Sequence, residues 1–146
     1  MNSFQKSALR SALQAKPYLK TLLKTLLSMG GDVACLWPPN PVMTESSLQE
    51  YLANAVLSSG RSAKLKKMAD SQCHDNALAL AAENPDMVWM TGYALSNDSV
   101  WRPHSWVWNS KKKHIVETTV RRVKYFGCAV QTSKEKHSEP TCNVCT

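Results

Sequence analysis

No stretch of the chain approaches the roughly 18 uninterrupted apolar residues that a membrane span needs. The start has no continuous apolar segment followed by a small-residue cleavage site, so the expected location is the cytoplasm. Nor is there an internal repeat, which argues against a solenoid or an array. The five cysteines, at positions 35, 73, 128, 142 and 145, are odd in number and irregularly spaced. They form no evident disulfide framework, and at least one thiol is expected to be free. Acids are missing altogether before Asp32, although Lys6, Arg10, Lys16, Lys20 and Lys24 all precede it.

What is present suits one folded domain. At 146 residues, folding can bury about two-thirds of the unfolded chain's surface. The apolar share of 43% and charged share of 20% are ordinary for a globular protein and exclude wholesale disorder. The net charge of +7 is concentrated in the acid-free start and in a second run of Lys111, Lys112, Lys113, Arg121, Arg122 and Lys124, offset only by Glu117. Such runs favour an anionic partner, and solvated basic faces are the plainer explanation.

Leucines at 9, 13, 19, 22, 23, 26 and 27 predict two amphipathic helices, broken near Pro17, with Ser3 as the first cap and Gly30-Gly31 as the end. Residues 1–31 thus read as a basic helical arm. Three prolines within Pro38–Pro41 exclude helix there and imply a linker or wrapping loop. Ser47 and Glu50 suggest a capping box for a third helix running to about Ser58, and Asp70 or Ser71 can cap a fourth that stops before Pro85.

Residues rich in β-branched and aromatic side chains then predict strands over Met87–Leu95, Ser105–Trp108, Ile115–Thr119 and Val123–Val130. Gly127 should mark a bulge or a close approach. The pattern gives an α+β domain: N-terminal helices followed by a small antiparallel sheet. The core is expected over 32–130 and a mobile cysteine-containing tail over 131–146. In that tail Cys142 and Cys145 have zinc-ligand spacing, which Cys128 and His137 could complete, but a single pair is a weak signal. No cofactor is expected.

Three strings carry the chemistry. Cys73 lies in the first turn of a helix, where the macrodipole favours thiolate. His104 opens a strand and can take the thiol proton and return it to a leaving group. Glu117 follows His104 by the length of a strand, a turn and a return strand, which places it to orient the imidazole. On their strands His104 shares a face with Trp106 and Trp108, and Glu117 shares one with Ile115 and Thr119. A carboxylate among apolar neighbours needs a partner. Gln72 is a candidate oxyanion donor, Trp101 and Trp106 are candidate walls of a substrate groove, and His74 is a secondary base.

The order of Cys73 on a helix, His104 on a strand and Glu117 on the next strand resembles the papain-like cysteine peptidase superfamily, in its compact NlpC/P60-type arrangement. The resemblance spans about residues 70–127. It implies a papain-like core and a hydrolase or transferase that acts on an amide or related acyl bond of a protein, peptide or other substrate. It also implies Cys73 as nucleophile, with the Cys73 backbone N–H helping to hold the oxyanion. The competing expectation is a non-catalytic basic module that binds nucleic acid or an acidic partner through its N-terminal arm and tryptophan-rich sheet.

Overall fold

The computed structural model describes residues 2–36 and 44–130. The elements run α1 (Ser3–Ala15), α2 (Leu19–Ser28), β1 (Val33–Ala34), α3 (Glu45–Asn54), β2 (Val56–Ser59), β3 (Lys64–Leu65), α4 (Cys73–Glu83), β4 (Met87–Leu95), β5 (Val100–Asn109), β6 (His114–Glu117) and β7 (Lys124–Ala129). The domain is α+β. The seven strands form one sheet in the order β2-β7-β4-β5-β6-β3, with β1 pairing onto β5 off that path.

The helices form where their apolar spacing lets them bury a stripe. Leu9, Ala12, Leu19, Leu22 and Leu26 of α1 and α2 join one apolar cluster with Tyr93, Trp101 and Phe126 of the sheet. Residues 1–31 are therefore no separate arm, because their apolar side is part of the main core. The cap of α1 is Asn2 rather than Ser3: Gln5 N–H donates to Asn2 Oδ1 at 2.7 Å, and Asn2 N–H donates to Gln5 Oε1 at 3.1 Å. For α3 the capping box is Thr44 with Ser47, one turn earlier than the expected Ser47 with Glu50.

The third helix ends at Asn54, not near Ser58. Ala55 is already extended, and Val56–Ser59 pair antiparallel with Lys124–Gly127. Pairing with β7 overrides a spacing that would have allowed helix to continue. The sheet is also not wholly antiparallel, since the two-residue strands β1 and β3 run parallel to β5 and β6. Strands thus begin before the last helix, rather than only after it. The strand expected over Ser105–Trp108 is ten residues long, Val100–Asn109.

Helix α4 lies over β4 and β5, with Ala77 and Leu80 packed on Val107 and Val116. On the opposite parity of the strands, Ala94, Trp106, Ile115 and Tyr125 form a second cluster. His104 and Glu117 share that parity, so the sheet itself brings them toward each other. The expected tail at 131–146 and the Pro38–Pro41 segment lie outside the described residues, as do Trp37, His137, Cys142 and Cys145.

Candidate functional site

Cys73 is the first residue of α4. Its N-cap, Gln72, sits at φ −121° and ψ 42° and makes no side-chain capping bond, whereas a typical cap would occupy the first-turn N–H groups. Neither Asp70 nor Ser71 takes that position. Asn76, one turn on, anchors the approach by donating its side-chain amide to the Ala69 carbonyl at 2.8 Å. The Cys73 sulfur is half-buried and accepts from the backbone N–H groups of His74 and Ser105.

The His104 imidazole bonds that sulfur on one side. On the other, its Nε2 lies 2.7 Å from Glu117 Oε1, which leaves Nδ1 for Cys73. The ring is buried and stacks against Trp106, with centroids 6.1 Å apart and planes 23° from parallel. Trp106 in turn needs Gly127: a Cβ there would fall 2.4 Å from the Trp106 ring and 2.3 Å from the Thr91 carbonyl oxygen. Gly127 is thus a close-approach glycine, and Trp106 is the backing of His104. Across the ladder from His104 stands Gly92, at φ +157°, where a Cβ would lie 2.3 Å from the Phe126 carbonyl oxygen.

Glu117 is fully buried and every lone pair is used. Oε1 accepts the Tyr125 hydroxyl at 2.9 Å as well as facing His104. Oε2 accepts the N–H groups of Thr118 and Thr119, at 2.9 and 3.1 Å, and the Thr119 hydroxyl at 3.2 Å. Burial alone would push this carboxyl up, but His104, the Thr119 N–H and the Tyr125 hydroxyl hold it below the ordinary range.

The same opposition of burial and partners acts on the other two groups. Burial pushes the His104 imidazole down, and the bonds to Cys73 and Glu117 more than reverse this, so it protonates more readily than a free histidine. Burial pushes the Cys73 thiol up, and the bond to His104, its charge, and the two backbone N–H groups carry it below its usual value. All three shifts favour thiolate, imidazolium and carboxylate in a row. Tyr125, buried beside the Glu117 charge, is pushed up and stays a neutral donor.

His74 is occupied elsewhere. Its Nδ1 bonds the Ser105 hydroxyl, which donates to Thr91 Oγ1 at 3.1 Å. Burial and the neighbouring His104 keep its imidazole below the ordinary value. Trp101 is fully buried in the helix-covered cluster, its indole N–H donating to the Gly30 carbonyl at 2.8 Å, so it walls no groove. Trp106 is likewise buried and backs the site through His104 and Tyr125, lining no open groove. Gln72 is exposed beside Cys73.

Sequence reasoning missed Tyr125 and Arg122, and it placed Thr119 on the face of Glu117 without giving it the bonds to the carboxylate. Tyr125 shares strand parity with Gly127, which is the only hint of its direction; the turn that returns β7 to Glu117 has no local signature. Cys73 and His104 open into a cleft of about 490 Å³ bounded by Ser71, Pro103, Val120 and Arg122. Among the described residues no group of three or more His, Cys, Asp or Glu side chains is arranged to hold a metal ion. No helix among them is long and apolar enough to cross a membrane. Comparison of the chain with family models, with curated proteins and with solved structures gives no match in any of the three.

Proposed function

We propose that the protein is a thiol-dependent hydrolase or transferase that acts on an amide or related acyl bond, with Cys73 as nucleophile, His104 as base and acid, and Glu117 as the orienting carboxylate. The reading extends to a papain-like core of the compact NlpC/P60 type. The observation that carries it is one buried imidazole bonded to a half-buried thiol at a helix start and, at 2.7 Å, to a fully buried carboxylate. A structural ion pair needs no thiol at its open end; a nucleophile does.

In this reading the Cys73 thiolate attacks the carbonyl carbon, and the carbonyl electrons move onto oxygen. The uncapped first-turn N–H of Cys73, with Gln72 as a further donor, meets that oxyanion. Collapse breaks the bond to the leaving group, which takes the proton from His104 and departs, leaving a thioester. Water, or an acceptor in the transfer reaction, then attacks as His104 removes its proton, and the thiolate leaves. Glu117 keeps its charge throughout and holds the ring in line.

The test is a ranking of thiols by mass spectrometry after limiting iodoacetamide at neutral pH. Cys73 is expected to label well before Cys35 and Cys128, because of these three only Cys73 joins a helix start to an imidazole. Equal labelling of the three, or slow labelling of Cys73, would count against the nucleophile.

A further inference from the structure

The cleft over Cys73 contains two arginines in different states. Arg102 is already engaged: its Nη1 and Nη2 meet Asp98 Oδ1 and Oδ2 at 3.0 and 2.7 Å, a bidentate pair that occupies the fork. Arg122 forms no ion pair among the described residues. Its Nε donates to the Val120 carbonyl at 3.0 Å and its Nη1 to Ser96 Oγ at 2.8 Å. Two of five N–H groups are thereby used to fix the fork, and the others are left over. The charge is close enough to bear on the His104 imidazole.

Arg122 also lines a second cavity, of about 570 Å³, with Leu57, Arg61, Val123 and Lys124 and no acidic residue. Lys124 spends its ammonium on the Met29 carbonyl. The two cavities therefore share one guanidinium, held in place and half-buried, and the one acidic residue that lines either of them, Asp70, is paired with Lys67. Leu57 and Val123 are exposed apolar side chains beside it. A basic, partly apolar lining next to a nucleophile selects for an anion close to the bond being attacked.

We infer that Arg122 is a specificity residue and that the substrate carries a carboxylate close to the acyl carbonyl attacked by Cys73. This rests on the thiol reading above and deepens it. The guanidinium binds the carboxylate through N–H groups that neither Val120 nor Ser96 uses, while Pro103 and Val120 bound the cleft beside the reacting carbon. Neutral substrates gain nothing from Arg122 and are expected to be the poorer ones.

The probes are iodoacetate and iodoacetamide, which alkylate Cys73 by the same displacement of iodide and differ in the carboxylate. Second-order rates are measured for each on the full chain, with Arg122→Gln and Arg122→Lys beside the wild type. Because iodoacetamide reports the thiolate fraction without a charge, the ratio of the two rates isolates the preference for an anion. That ratio is expected to exceed the one for N-acetylcysteine, to fall about three- to tenfold in Arg122→Gln, and to keep at least half its value in Arg122→Lys. A ratio unchanged in Arg122→Gln, or one as low in Arg122→Lys as in Arg122→Gln, overturns the inference and leaves the thiol reading standing. A wild-type Cys73 inert to both reagents overturns the thiol reading, and this inference with it. Should Arg122→Gln fail to fold, Arg122→Met takes its place: the same roughly three- to tenfold fall is expected, and an unchanged ratio overturns the inference.

Discussion

The helix starts among the described residues fall into two kinds. At α1 and α3 the chain closes its own N-terminus with reciprocal capping bonds, Asn2 with Gln5 and Thr44 with Ser47. At α2 the preceding turn does the same with backbone carbonyls, as Leu19, Lys20 and Thr21 donate to Lys16, Pro17 and Tyr18. At α4 no side chain caps the helix, and the His74 N–H turns to the Cys73 sulfur instead. Three starts are built for stability. The fourth leaves its positive end to whatever binds there, and a thiol stands in it.

The contrast can be broken first where the α4 start depends on the sheet. Glu117→Ala leaves a buried imidazole without its carboxylate and strips five bonds at once, so thermal unfolding should reveal a loss of about 3–5 kcal/mol. A loss below about 1 kcal/mol would mean that the buried network contributes little. Gly127→Ala acts one step further out: its Cβ meets the Trp106 ring, which must shift from behind His104. The expected cost is roughly 1–3 kcal/mol, with slower alkylation of Cys73. Unchanged alkylation would show that Trp106 does not position the imidazole.

The smallest changes sharpen the contrast at the caps. Gln72→Asp supplies the missing cap and should stabilise the fold by about 0.5–1 kcal/mol, while its negative charge raises the Cys73 thiol and slows alkylation near neutral pH. Asn2→Ala and Thr44→Ala should each destabilise by about 1 kcal/mol and leave Cys73 alkylation as it is. Paired urea melts and labelling rates for the three variants read both effects. If Gln72→Asp left the rate untouched, the open helix end would not be part of the site.

How much of this was legible in the sequence follows from range. Strands β4 to β7 show their β-branched and aromatic bias within a few residues, and Met87–Leu95 is found at its expected bounds. Strand β2 is not legible, since Val56 continues a helical spacing and its pairing with β7 crosses nearly 70 residues. The helical arm looked separate because its charge is local, whereas its burial on Tyr93, Trp101 and Phe126 is tertiary. In the site, Cys73, His104 and Glu117 announced themselves by residue type, element and parity. Trp101 misled because its proximity in sequence to His104 says nothing of the face it takes. Alternation from His104 would already have placed it on the opposite face. The neighbours of Glu117 were illegible for a different reason: the turn from Thr118 to Val123 decides them, and its path depends on Gly60 accepting no side chain beneath the Arg122 carbonyl.

The coupling of Cys73, His104 and Glu117 is tested most directly by the pH dependence of Cys73 alkylation in wild type and Glu117→Gln. In the wild type the rate should rise through a thiol pKa below the ordinary value of about 8.5, because the imidazolium stabilises the thiolate. Glu117→Gln keeps the shape and removes the charge that raises the His104 imidazole. Less imidazolium then faces the sulfur, and the limb should move up toward the ordinary thiol range with a lower rate at neutral pH. Superimposable profiles, or a wild-type limb already at about 8.5, would contradict the three-residue site.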